Sequence, residues 1–129
     1  MTEVELEAHY LRYISCLNDR RLEELDEFVH DELTYNGEPE TRADYRARIA
    51  GSVAAIPDLY FDVQLLVVGG DQVGCRLFFN CTPQSEWLGL QPNGGSISFA
   101  EHVFYKFRGG KIYEVWSLLD VPSIVEQLS

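Results

Sequence analysis

Acid/base chemistry needs a carboxyl, imidazole or phenol held where bulk water does not set its pKa. The stretch ISFAEHVFYKF, residues 97–107, places one carboxyl in such company. Read as a strand of period two, it puts Ile97, Phe99, Glu101, Val103, Tyr105 and Phe107 on one face. Ser98, Ala100, His102, Phe104 and Lys106 fall on the other. Glu101 and His102 then point to opposite sides, so they do not form a catalytic dyad. Glu101 stands alone on an apolar wall, where desolvation disfavours its charged form and raises its pKa toward that of a working acid or base. The competing assignment is structural, an ion pair with Arg76 on the neighbouring strand.

Arg76, Phe78 and Asn80 share strand parity and line one face. If that face is the pocket, Arg76 can hold a substrate carboxylate or enolate and Asn80 can orient it. Otherwise Arg76 neutralises Glu101 and Asn80 satisfies backbone at the strand end. Phe78, Phe99, Val103 and Val115 are expected to line a cavity with Glu101, sized for a flat apolar molecule with a carbonyl. Asn36 precedes Gly37, a pair that suits either a turn or a pocket edge. Trp87, in the loop after residues 73–82, either lids the pocket mouth or anchors its own loop. Tyr10, Tyr13 and Tyr45 sit on helical faces and read as core, the alternative being a hydroxyl offered to a ligand. The three histidines are scattered without ligand spacing, so no metal site is expected. The Gly-Gly pairs at 69–70, 94–95 and 109–110 read as turns rather than as a phosphate cradle, and no cofactor is expected. No serine or cysteine has a base beside it in sequence, which leaves covalent catalysis without support.

Positioning such a carboxyl takes elements. Leu6, Tyr10, Tyr13, Ile14 and Leu17 recur at helical spacing and predict an amphipathic helix over residues 3–19. RRLEELDEFVH continues the pattern through Leu22, Leu25, Phe28 and Val29 and predicts a second helix. ELTYNG reads as a short strand. TRADYRARIAGSVAAIP predicts a third helix, with Thr41 as N-cap, Asp44 three residues on and Pro57 beyond its end. From Leu59 onward the period changes to that of strands: LYFDVQLLVVGGDQ, VGCRLFFNCT, GSISFAEHVFYKF and, after the RGGK hairpin, IYEVWSLLD. Helices followed by a four-strand antiparallel meander predict one α+β domain over residues 1–129. A curved sheet wrapped around a long N-terminal helix encloses a conical hollow where a ligand fits.

Composition bounds the partners. A net charge of −11 over 129 residues argues against nucleic acid and anionic membrane surfaces. No window reaches the roughly 18 apolar residues of a membrane span. The first ten residues, MTEVELEAHY, are acidic where a signal peptide is basic and then apolar. Cys75 and Cys81 are too far apart in one extended strand for a disulfide. With Cys16 they read as reduced thiols of a cytoplasmic protein.

The helices followed by AIPDLYFDV, GDQVGCR, EWLGLQPNGGSISF, RGGKIYEVWSLLD and VEQL resemble the SnoaL-like polyketide cyclases, of the nuclear transport factor 2-like superfamily, across residues 5–128. The resemblance implies a cone-shaped α+β barrel: a curved antiparallel sheet around N-terminal helices. It also implies a homodimer, to which the small and apolar outer face of Ser98, Ala100, His102 and Phe104 adds a physical reason. By resemblance, an acid/base group belongs in the middle of the triplet Glu114-Val115-Trp116, where this chain has valine, and a histidine belongs at Pro83. Asn36 matches a polar position on the first strand, and Glu101 aligns with a position that often carries histidine. Two function classes follow. One is a cofactor-independent acid/base enzyme of cyclase, isomerase or dehydratase type acting on a small apolar carbonyl compound. The other is a non-catalytic small-molecule binding or dimeric assembly module.

Overall fold

The computed structural model describes residues 1–129. Helix α1 spans Glu3–Asn18 and opens with a capping box, Thr2 and Glu5 each satisfying the other's backbone N–H. It buries Leu6, Tyr10, Tyr13, Ile14, Cys16 and Leu17. Strand β1 (Val29–Tyr35) and strand β2 (Glu38–Thr41) form a hairpin, followed by helix α2 (Arg42–Ala55). Thr41 and Asp44 form the second capping box, at the start of α2. Strands β3 (Asp62–Gly69), β4 (Gln72–Cys81), β5 (Ile97–Arg108) and β6 (Lys111–Leu119) make an antiparallel meander, and helix α3 (Val121–Leu128) closes the fold.

The sheet has six strands in the order β2-β1-β6-β5-β4-β3, with β1 parallel to β6. Register shifts interrupt the β1/β6, β3/β4 and β5/β6 ladders. Irregularities of this kind add twist and bend, which lets the sheet curl around α1 and α2. The result is the expected α+β cone. One hydrophobic core runs through it, from Leu6 on α1 to Ile112 on β6 and Ile124 on α3.

Three elements depart from the sequence reading. The predicted second helix is only a 3-10 turn over Leu22–Glu27, and Val29 already starts β1. The Phe28 carbonyl accepts from the Ile112 N–H at 2.8 Å, so strand pairing with β6 takes residues that helical spacing alone would have continued. Four acids in Glu23-Glu24-Leu25-Asp26-Glu27 also repel one another along so short a turn. Strand β2 and helix α3 were not anticipated. The sheet is therefore two strands wider than the meander, the added pair being the β1–β2 hairpin on its β6 edge. No helix is long and apolar enough to cross a membrane.

Candidate active site

Alternation along the central strands decides what faces the hollow. On β4, Val73, Cys75, Leu77, Phe79 and Cys81 are buried, while the residues between them are not. On β5, Ile97, Phe99, Val103, Tyr105 and Phe107 point the same way, with Glu101 among them. Cross-strand register puts Leu77 and Leu119 directly beside Glu101. Between this face and the helices lies a cavity of about 410 Å³, within the range of small-molecule sites. Its walls include Phe79, Phe99, Val103, Tyr105 and Val115 from the sheet, Tyr13 and Leu17 from α1, and Tyr45, Arg48, Ile49 and Ser52 from α2. Trp87 and Leu88 come from the loop between β4 and β5.

Glu101 is the only carboxylate in that lining and takes part in no ion pair. One carboxylate oxygen accepts from the Ser117 hydroxyl on β6. Burial pushes its pKa above the usual carboxylate range, with the Ser117 bond acting in the opposite sense. Phenols surround it. Tyr13 and Tyr45 hydroxyl oxygens are 2.6 Å apart, and Tyr10 donates to Tyr105 at 3.4 Å. Burial first, then neighbouring charges that include Glu101, hold Tyr13, Tyr45 and Tyr105 well above the ordinary phenol value. Tyr35 is raised by burial too, and the Arg48 guanidinium lies 3.8 Å from its ring centre. Arg48 is tied in turn to Glu40 at 2.7 Å.

The sequence candidates divide between the two faces of the sheet. Glu101, Phe99, Val103, Val115, Asn36 and Trp87 all border the cavity. Asn36 lies at its edge with its carboxamide committed: its Oδ1 accepts from the Ser117 N–H at 2.7 Å and its Nδ2 donates to the Ser117 carbonyl at 3.2 Å. Trp87 stacks near Phe99, centroids 5.4 Å apart, and its indole N–H donates to Ser52 across the gap to α2. Arg76, Phe78 and Asn80 are on the opposite, outer face, away from the cavity. The reason is register. Glu101 pairs with Leu77, so the even-numbered β4 residues pair with Ala100, His102 and Ser98 instead. Arg76 donates to Gln64 at 3.0 Å and to His102 at 2.7 Å, which removes it both as a substrate clamp and as the partner of Glu101. Asn80 accepts from Ser98 at 3.4 Å on that same outer side.

The sequence reading missed Ser117 and Arg48, and it favoured a core role for Tyr13 and Tyr45 over a ligand-facing hydroxyl, whereas both border the cavity with Tyr105. Ser117 shares parity with Val115, and Tyr105 shares it with Glu101, so both carried a signal. For Tyr13, Tyr45 and Arg48 helical periodicity marks a face of the helix without saying that it borders a cavity.

A curved sheet closed by helices over a mostly apolar cavity defines the cone-shaped α+β barrels of the nuclear transport factor 2-like class. Within that class, the model of the SnoaL-like polyketide cyclases matches residues 7–128, and the chain belongs to that family. A SnoaL-like polyketide cyclase from Agrobacterium tumefaciens is 42% identical to it, over 96% of this chain and 98% of that one, with a TM-score of 0.89. TsrD from Streptomyces laurentii shares the fold at a TM-score of 0.90, over 100% of this chain and 98% of that one, with 20% identity. Among curated proteins none matches the chain.

Proposed function

We propose that this protein is a cofactor-independent acid/base enzyme, of cyclase, isomerase or dehydratase type, that uses Glu101 to move a proton next to the carbonyl of a small apolar substrate. The observation that carries this reading is the isolation of Glu101: the only carboxylate in the cavity lining, bonded through one oxygen alone. Its second oxygen is the one offered to substrate. It takes the proton from the carbon beside the carbonyl, and the C–H pair becomes the C=C of an enolate. The protonated Glu101 then returns the proton to another carbon of the substrate, or the enolate carbon attacks a second carbonyl within the same molecule, whose π pair moves onto its oxygen and takes the proton back from Glu101. Burial strengthens the base for that first step, because a carboxylate with a raised pKa holds the abstracted proton more firmly. Val115 stands on β6 opposite Tyr105, so in this reading the proton-transfer group sits one strand over from the family's triplet position.

The same reading includes a homodimer in the cytoplasm. All three cysteines are buried free thiols, as a reducing compartment keeps them. Two neighbouring rows run across the outer face, Val67-Gly74-Phe104-Trp116 and Leu65-Arg76-His102-Leu118, and leave large apolar side chains to cover around the Arg76–His102 pair.

The test is hydrogen exchange on an enolisable apolar ketone. With 2-tetralone in deuterated buffer, the protein should accelerate loss of the α-proton NMR signal over buffer alone. Glu101→Gln should lose that acceleration by on the order of 10²–10⁴-fold. Equal rates for both proteins would overturn the assignment.

A further inference from the structure

The phenols around Glu101 do not use all their hydrogens. In the Tyr13–Tyr45 pair one hydroxyl donates and the other accepts, so one O–H is left over. Tyr10 donates to Tyr105, and the Tyr105 hydrogen has no acceptor. Tyr13, Tyr45 and Tyr105 are buried and border the same cavity as Glu101. A buried donor without an acceptor is unfavourable, so two spare donors at one end of a cavity point to an acceptor supplied by its occupant. Desolvation keeps these phenols protonated at neutral pH, which makes them donors rather than bases.

We propose that the Tyr13–Tyr45 pair and Tyr105 form an oxyanion site, donating hydrogen bonds to the enolate oxygen that appears when Glu101 removes the α-proton. This rests on the reading of Glu101 above and narrows its substrate. The carbonyl oxygen enters first, toward the tyrosines, with the α C–H facing Glu101 and the apolar remainder against Phe79, Phe99 and Trp87. In the step, the proton passes from carbon to the free Glu101 oxygen. The C–H electrons form the C=C bond, and the carbonyl π pair moves onto the oxygen. The phenols stabilise that oxygen without giving up their protons, and the reverse transfer regenerates the carboxylate. Donors already in place when charge develops cost no reorganisation at that moment.

The test uses Glu101→Gln protein, in which the amide imitates the protonated acid, and 4-nitrophenol, whose ionised form resembles an enolate and absorbs visibly. Bound 4-nitrophenol should ionise at lower pH than the free phenol. Adding Tyr45→Phe or Tyr105→Phe should weaken phenolate binding by on the order of 10–100-fold. Nitrobenzene, which has no ionisable oxygen, should bind all these proteins within about twofold of one another if the cavity is intact. A bound phenol that stays protonated, or phenylalanine variants that hold phenolate as tightly as their parent, would overturn the oxyanion site. If a variant loses nitrobenzene as well, the absorbance shift in Glu101→Gln protein alone decides the matter. The readout does not need Glu101 to act as a base. Failed exchange with intact phenolate binding removes the base and keeps the tyrosine site, and the opposite pattern removes the site and keeps the base.

Discussion

A half-buried carboxylate without a cation works against the fold, and this sets a measurable sign at Glu101. Its folded pKa lies above its unfolded value of about 4.3. Between those two values the folded state binds more protons than the unfolded state, so stability falls as pH rises through that interval. The penalty is absent below about pH 4 and complete above the folded pKa. Each tenfold tightening of proton affinity corresponds to about 1.4 kcal/mol. Glu101→Gln keeps an acceptor for Ser117 and removes the charge. It should therefore stabilise the protein in urea melts at pH 7.5 and change little at pH 4. Destabilisation at pH 7.5 would mean that Glu101 is a paired strut. The Arg76 that would have made it one lies on the other face of the sheet, bonded to Gln64 and His102.

At the level of elements, the β1–β2 hairpin links the sheet edge to the site. Asn36 and Gly37 both take positive φ, 52° and 86°, as a tight two-residue hairpin turn of this hand requires. Asn36 also continues the β1/β6 pairing beyond Tyr35 by bonding both backbone groups of Ser117, the residue whose hydroxyl holds Glu101. The alternatives of turn residue and pocket residue therefore meet in one side chain. Two substitutions separate the contributions. Asn36→Gly keeps the backbone conformation and loses the carboxamide bonds, a cost of about 1–2 kcal/mol. Asn36→Ala loses the same bonds and adds left-handed strain of about 1 kcal/mol. Urea denaturation should rank wild type above Asn36→Gly above Asn36→Ala. Equal stability of the two variants would mean that backbone strain at Asn36 is negligible.

For the whole molecule, the outer sheet face carries the prediction. Phe104 and Leu118 are 61% and 73% exposed, on the same outer face as the exposed Leu65, Val67 and Trp116, an apolar area that a second copy would cover. Light scattering at micromolar concentration should give twice the 14.7 kDa of one chain. Phe104→Glu should halve that mass while leaving the cavity, on the opposite side of β5, able to bind its ligands. A monomeric wild type would leave the face without this partner.

Much of this architecture is written in local patterns. Period two placed Glu101 among Phe99, Val103 and Tyr105, Thr41 and Asp44 marked the start of α2, and the Gly-Gly turns separated the strands, because each of these depends on near neighbours in the chain. Family resemblance supplied the cone. What faced the cavity across strands was a different matter. Arg76 and Glu101 both obey period two, yet whether they share a face depends on which β4 residue pairs with Glu101, and that register comes from the packing of the whole sheet. The predicted second helix shrank to a 3-10 turn, and its last residues, Val29 and His30, went to β1, because β1 pairs with β6. The site itself gathers Tyr13, Tyr45, Tyr105, Ser117 and Glu101 from four elements far apart in sequence. No local period encodes that meeting. It exists only once the curved sheet closes on its helices and partly desolvates these groups, which shifts their pKa values.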